Sequence, residues 1–110
     1  MKIITIVLDS NKLENPDLDL RYNISDRIEE ITNKRILHDG FDYMGEHYNI
    51  MSIFHRVEEE RDGDIDLIIH LLKTEQFLEN DLSKTAIIYI KDDYPMEGGD
   101  FSDCIKVFPN

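Results

Sequence analysis

Near the start of the chain lies the stretch Ile3-Ile4-Thr5-Ile6-Val7-Leu8, which is closed at once by the polar run Asp9-Ser10-Asn11. β-Branched side chains dominate this stretch, and such residues favour a strand over a helix. Apolar side chains occupy both odd and even positions, so both faces of the strand are expected to be buried. We therefore predict that Ile3–Leu8 is a central strand of a sheet.

Two segments downstream have the apolar spacing of amphipathic helices. The apolar positions are Leu20, Ile24, Ile28 and Ile31 in the first segment, and Ile65, Ile68, Ile69 and Leu72 in the second. Spacing of three and four residues places these side chains on one helix face. We predict one helix from near Leu20 to near Asn33 and another over about 64–74. The alternative for the second segment is a hairpin that turns at Asp62-Gly63, and the spacing favours the helix.

Strand patterns surround these helices. Ile36–Met44 and Tyr48–Val57 predict a hairpin with its turn at Gly45-Glu46, and Ala86–Ile90 predicts a further strand. Residues 75–84 are mixed in character and predict a loop with a short helical turn at Phe77-Leu78.

The predicted order is therefore β-α-β-β-α-β over a single α+β domain spanning residues 1–110. A ferredoxin-like antiparallel sheet with two helices on one face is the simplest architecture with that order. The remaining residues, 91–110, form a C-terminal tail in which Cys104–Phe108 is a candidate for one more short strand.

Composition excludes several classes of function. The 110 residues include 24 Asp and Glu against 12 Lys and Arg, which leaves a formal charge of −12. A chain this acidic, without a basic patch, is not expected to hold nucleic acid directly. The single cysteine, Cys104, excludes an intramolecular disulfide and fits a reducing compartment. No apolar run approaches the length of a membrane span. Asp9 ends the first apolar run before it reaches the length that a secretory signal needs. We expect a cytoplasmic protein.

Motifs for catalysis or cofactor binding are missing from the sequence. The glycines form no phosphate loop, and the four histidines form neither HxxxH nor HExxH. Asp62-Gly63-Asp64-Ile65-Asp66 opens like a calcium loop, but Leu67 and Lys73 stand where the loop needs glycine and glutamate. Acidic residues in a first helical turn explain this segment better. We predict no cofactor, no metal site and no enzymatic activity.

The acidic residues are unevenly distributed. Nine carboxylates lie between residues 39 and 66 and five between 92 and 103, with tyrosines and phenylalanines interleaved. Carboxylates steer a basic partner toward a surface, and aromatic side chains anchor it. The candidate partner-binding residues are Asp39, Asp42, Tyr43, Tyr48, Glu58, Glu59, Glu60 and Asp62.

The chain resembles the small acidic immunity proteins of bacterial polymorphic toxin and contact-dependent growth inhibition systems. The similarity lies in length, acidity, the α/β pattern and two segments, Asn15–Tyr22 and Asn80–Ser83 leading into Thr85–Ile90. It implies an inhibitor that binds a basic cognate toxin domain, often a nuclease, and covers its active site. It transfers no functional residue to a position of this chain.

Two alternatives remain open from the residues themselves. One is a small regulatory or ligand-sensing α+β module that dimerises, as ferredoxin-like domains often do. The other is an enzyme with a dispersed or metal-dependent site, assembled from residues that are distant in sequence. The oligomeric state is not determined by any sequence pattern.

Overall fold

β1 (Lys2–Asp9) is the central strand of a five-stranded antiparallel sheet. The computed structural model describes residues 2–45, 47–95 and 101–109. The other elements are α1 (Leu20–Ile31), β2 (Ile36–Met44), β3 (Ile50–Val57), α2 (Asp64–Thr74), β4 (Gln76–Phe77), β5 (Asn80–Asp81), β6 (Ile87–Lys91) and β7 (Ile105–Phe108). The strand order across the main sheet is β2-β3-β1-β6-β7.

This arrangement confirms the predicted α+β fold class. β1, α1, β2, β3, α2 and β6 follow the predicted β-α-β-β-α-β order, and the order β2-β3-β1-β6 is the ferredoxin-like one. α2 spans the predicted residues, so the hairpin alternative for 65–72 is wrong. The tail contributes the fifth strand, β7, which pairs with β6 at one edge of the sheet.

Both helices pack on the same face of the sheet. The even-numbered residues of β1, Ile4, Ile6 and Leu8, belong to one buried cluster with apolar residues of both helices. The helical members of this cluster are Leu20, Ile24 and Ile28 in α1 and Ile68, Leu71 and Leu72 in α2. The helices repeat every 3.6 residues and the strand every 2, and each of these periods places the apolar side chains of its element on the face that contacts the shared core.

The opposite face of the sheet is also buried at β1, where Ile3 and Thr5 expose 0% and 1% of their surface. Part of its cover comes from Tyr94 and Phe101, which lie between β6 and β7 in sequence. Phe101 stacks on Tyr89 of β6 with ring centroids 4.5 Å apart. Tyr94 meets Phe54 of β3 edge to face at 6.2 Å. The two-sided apolarity of Ile3–Leu8 is therefore explained by helices on one side and aromatic rings on the other.

The segment 75–84 departs from its prediction as a loop with a helical turn. Gln76–Phe77 and Asn80–Asp81 pair as a two-stranded hairpin, and Leu82–Lys84 form a short 3₁₀ turn. Leu78 and Glu79 both have positive φ, 48° and 70°. Positive φ at both central residues is the geometry of a tight hairpin turn that usually takes Asn and Gly, so the sequence lacked the usual signal.

The β2–β3 connection also differs in detail from its prediction. β3 begins at Ile50, two residues later than predicted, because Tyr48 has a positive φ of 53° and lies in the turn. Gly45, the first predicted turn residue, has a φ of 92° and fits that role. Glu46, the second, lies outside the described residues.

Candidate functional site

The eight residues predicted to bind a partner lie in two groups on the structure. One group surrounds the end of β3 that leads into α2, and the other follows the hairpin toward its tip. The first group is Asp39, Glu58, Glu59, Glu60 and Asp62, and the second is Asp42, Tyr43 and Tyr48. Because β3 has eight residues, the hairpin is roughly 25 Å long at about 3.3 Å per residue. We call the first group the acidic end.

Glu58, Glu59, Glu60 and Asp62 are all exposed in the loop between β3 and α2. The start of this loop is held by the backbone, since the Glu58 and Glu59 N–H groups donate to the carbonyl of Arg35 at 2.8 and 3.3 Å. The loop ends at the left-handed Gly63, which precedes the first residue of α2. The consecutive carboxylates therefore project from a backbone that is fixed at both ends.

Asp39 joins the acidic end through Arg56. The Arg56 guanidinium donates to Asp39 at 3.1 Å and to Glu58 at 2.7 Å, so it lies between the two carboxylates. Hydrogen bonding to Glu58, together with the charges of Glu58 and Asp39, raises the pKa of Arg56. Asp39 is half-buried, and it is brought near Glu58 because β2 and β3 pair in antiparallel register.

Tyr94 is a further member of this network that the sequence did not single out. Its hydroxyl donates to the second oxygen of Asp39, and this hydrogen bond raises the pKa of the phenol. Tyr94 remains 41% exposed. It lies 55 residues from Asp39 in sequence, and only the path of the β6–β7 connection across the sheet places it there. The single sequence signal was an aromatic residue among acids.

Internal cations compensate part of the acidic end. Lys2 pairs with Glu60, and Arg56 pairs with Asp39 and Glu58. Within the described part of the chain, Glu59 and Asp62 form no ion pair. These two carboxylates are therefore the members whose charge is most available to another molecule.

A groove of about 520 Å³ opens beside Asp62, between the end of α1 and the start of α2. Ile31 and Leu67 contribute apolar surface, and Leu67 is 42% exposed. The paired side chains of Arg35 and Asp64 also line it, with two hydrogen bonds of 2.9 and 2.8 Å. The groove thus combines an apolar surface with Asp62 and Arg61, a carboxylate and a guanidinium that both form no ion pair among the described residues.

The second group is arranged differently. Tyr48 is 74% exposed at the hairpin tip. Asp42 and Tyr43 are neighbours in one strand and therefore point to opposite faces of the sheet. Tyr43 packs beside the core on the helix side and contacts Phe41 edge to face at 5.1 Å, whereas Asp42 is exposed. These three side chains do not share one surface.

The most strongly perturbed histidine is buried. His55 exposes 0% of its surface, and its Nε2 lies 2.9 Å from the Oγ of Ser25 on α1. Burial, with a smaller contribution from His38, lowers the pKa of His55 to about 3. A serine and a histidine at this distance resemble a catalytic pair. Both side chains are closed off from solvent, so this pair has no access to a substrate in this conformation.

Metal ligands do not gather anywhere in residues 2–45, 47–95 and 101–109: no group of three His, Cys, Asp or Glu side chains is placed to hold an ion. Asp64, from the calcium-like segment, is instead committed to Arg35. Cys104 is half-buried, with its Sγ 3.7 Å from a carboxylate oxygen of Asp103.

Among the described residues, neither α1 nor α2 has the length and apolarity needed to cross a bilayer. No family model matches the chain, and neither the curated proteins nor the solved structures contain a match to it.

Proposed function

We propose that this protein is a cytoplasmic immunity protein that binds a basic cognate toxin domain, a nuclease, and neutralises it by covering its active site. The observation that carries the proposal is the acidic end. There, exposed Glu59 and Asp62 lie without ion pairs among the described residues, and Asp62 lines the groove at Leu67. The half-exposed ring of Tyr94 joins the acidic end through its hydrogen bond to Asp39.

Carboxylates of this kind substitute for the phosphates of a nucleic acid. A nuclease holds its substrate with Lys and Arg side chains, and those cations form charge-assisted hydrogen bonds with carboxylates as well as with phosphates. Consecutive acids on a fixed backbone present several such acceptors at once. The net charge of −12 adds long-range attraction that speeds the encounter.

The groove beside Asp62 supplies an anchor for one cationic side chain of the toxin. The aliphatic stem of a lysine or arginine packs against apolar surface such as Leu67 and Ile31 while its charge stays with a carboxylate. A buried anchor of this type carries more of the binding energy than rim charges do. The remaining carboxylates then act mainly on the association rate.

The test begins with the product of the adjacent gene, expressed with and without this chain. We expect it to be toxic alone and harmless in combination, and we expect the two purified proteins to bind with an affinity that falls as salt rises. Native mass measurements at two concentrations, with and without the adjacent product, distinguish a heterodimer from the self-association expected of a sensing module.

Charge-reversal variants locate the contact. Glu59→Lys/Asp62→Lys changes the acidic end, and the matched control Glu14→Lys/Asp26→Lys makes the same change in charge at exposed positions elsewhere. We expect the first pair to slow association at least about tenfold more than the control pair. Equal effects of the two pairs, or an affinity indifferent to salt, would exclude the acidic end as the contact. An adjacent product that is harmless alone would remove the basis for an immunity function.

A further inference from the structure

Arg21 lies on α1 with its guanidinium against aromatic rings. Its Cζ is 4.6 Å from the ring centroid of Tyr22 and 4.5 Å from that of Phe41 on β2. Contacts of this length between a cation and a ring are attractive and favour arginine over lysine. The guanidinium therefore contacts one ring on α1 and one on β2.

Arg21 has no carboxylate partner in the described part of the chain. The arginines at 27, 35 and 56 are each paired with acids, in a sequence that contains 24 of them. The Nε of Arg21 is buried and forms no hydrogen bond with any residue that the structure describes. Leaving a donor of a charged group buried and unbonded costs free energy. The terminal nitrogens of Arg21 are not buried in the same way, so they are the atoms available to an external anion.

The surface beside Arg21 is apolar and open. Leu18 lies one turn earlier and accepts a hydrogen bond from the Arg21 N–H at 3.3 Å. Leu18 is 47% exposed and Tyr22 is 48% exposed. Arginine and tyrosine beside apolar side chains are the composition of residues that dominate binding energy in protein interfaces.

We propose that Arg21, with Tyr22, Phe41 and Leu18, is a binding site for a carboxylate that a protein partner presents beside an apolar side chain. The guanidinium has no carboxylate partner among the described residues, so it is available to an external anion, and a neighbouring aromatic ring strengthens the attraction by displacing water. A carboxylate carries one negative charge and a phosphate nearly two, so the field of this acidic chain opposes a carboxylate less. The apolar rim supplies the contact for the neighbouring side chain.

This site goes beyond the proposed function, because it selects an acidic group and lies on the α1–β2 side of the molecule. Its test uses the protein alone, with arginine labelled so that the Nε–Hε signals of all arginines are followed by NMR. The probes are acetate, N-acetyl-leucine and inorganic phosphate, each titrated at constant ionic strength against sodium chloride. Arg61, which is exposed and forms no ion pair among the described residues, is the internal reference.

We expect the Arg21 signal to move saturably with both carboxylates, by at least about three times the Arg61 response, and at lower concentration with N-acetyl-leucine. Tyr22→Ala should abolish the excess over Arg61 while the remaining spectrum shows an intact fold. An Arg21 response no larger than that of Arg61 overturns the site. A larger response to phosphate than to either carboxylate overturns the assignment to a carboxylate. Neither outcome depends on the toxin experiment, so the two proposals fail independently.

Discussion

Ser25 Oγ on α1 and His55 Nε2 on β3 lie 2.9 Å apart in the core, and both residues are at most 2% exposed. The second ring nitrogen of His55, Nδ1, is buried and has no partner of good hydrogen-bond geometry among residues 2–45, 47–95 and 101–109. Ser25 provides a hydrogen bond between side chains to this imidazole. The pair ties the first helix to the third strand, and it makes the folded state sensitive to the charge of one ring.

The first prediction concerns pH. The pKa of His55 is about 3 in the folded protein and 6.5 as the ordinary value, so the unfolded chain binds the proton more readily between these limits. Stability from His55 is thus fully present above pH 6.5 and is lost as the pH falls toward 3. Between pH 6.5 and about 5, urea unfolding should show a loss approaching about 1.4 kcal/mol per pH unit.

His55→Asn should flatten this slope, because the replaced side chain does not titrate. His70→Asn is the matched control, since it makes the same substitution at an exposed position of α2. A slope that survives in His55→Asn would assign the pH dependence to carboxylates such as Glu75, whose pKa is lowered by its hydrogen bond with Arg27.

The second prediction concerns the hydrogen bond itself. Ser25→Ala leaves the Nε2 of a buried ring without its Ser25 partner and should cost about 2 kcal/mol of unfolding free energy. Ser25→Ala/His55→Leu removes the donor and the acceptor together. The double variant should therefore lose less than the sum of the two single losses, as measured in a denaturant double-mutant cycle. Additivity within about 0.5 kcal/mol would mean that the contact contributes nothing.

The third prediction concerns the ion pair of Arg35 and Asp64. Two hydrogen bonds join these largely buried side chains, which expose 12% and 6%. Asp64→Asn leaves the guanidinium without its counter-charge and should lower Tm by roughly 10 °C or more. Glu60→Gln is the matched control, because Glu60 pairs with Lys2 at the exposed surface. The Tm of Glu60→Gln should remain within a few degrees of the wild type. A similar fall of Tm in both variants would show that the buried ion pair contributes no more than the exposed one.

The fourth prediction concerns Asn80, which is 1% exposed. Its side-chain amide donates to the carbonyl of Asn15 at 2.8 Å, and its Oδ1 accepts from the Asn15 N–H at 2.9 Å. Asn80→Ala should lower the free energy of unfolding by about 3 kcal/mol. It opens a cavity and leaves buried backbone groups of both segments without hydrogen-bond partners. Asn23→Ala, at an exposed position of α1, should change stability by no more than about 0.5 kcal/mol. Equal losses of stability in these two variants would contradict a stabilising role for the hydrogen bonds between Asn80 and Asn15.

The fifth prediction isolates backbone strain at Gly63. Its φ is 91°, and a Cβ added there would meet no atom within 4 Å. Gly63→Ala should therefore cost about 1 kcal/mol through the backbone alone, without a steric clash. Gly63→Asn should recover part of this loss, because asparagine tolerates left-handed conformations better than alanine. A neutral Gly63→Ala would show that α2 can begin without the left-handed residue.

By itself, the sequence determined the main elements and their order. The apolar stripe through Leu20 and Ile24 and the two-sided strand Ile3–Leu8 carry that information locally, because their periods match a helix and a buried strand. The hairpin at 76–81 escaped prediction, since Leu78 and Glu79 adopt positive φ without the residues that usually signal it. Its conformation depends on the contact between Asn80 and Asn15, which are 65 residues apart.

For the candidate site, too, the sequence determined one part and the tertiary structure another. The sequence located a surplus of carboxylates, because charge is a property of composition and needs no fold to be counted. Only the tertiary structure decided which of them are already neutralised: Arg56 lies between Asp39 and Glu58, Lys2 holds Glu60, and Glu59 remains without an ion pair among the described residues. Ion pairs join residues through sheet register and loop path, and those depend on packing between distant segments rather than on any local pattern.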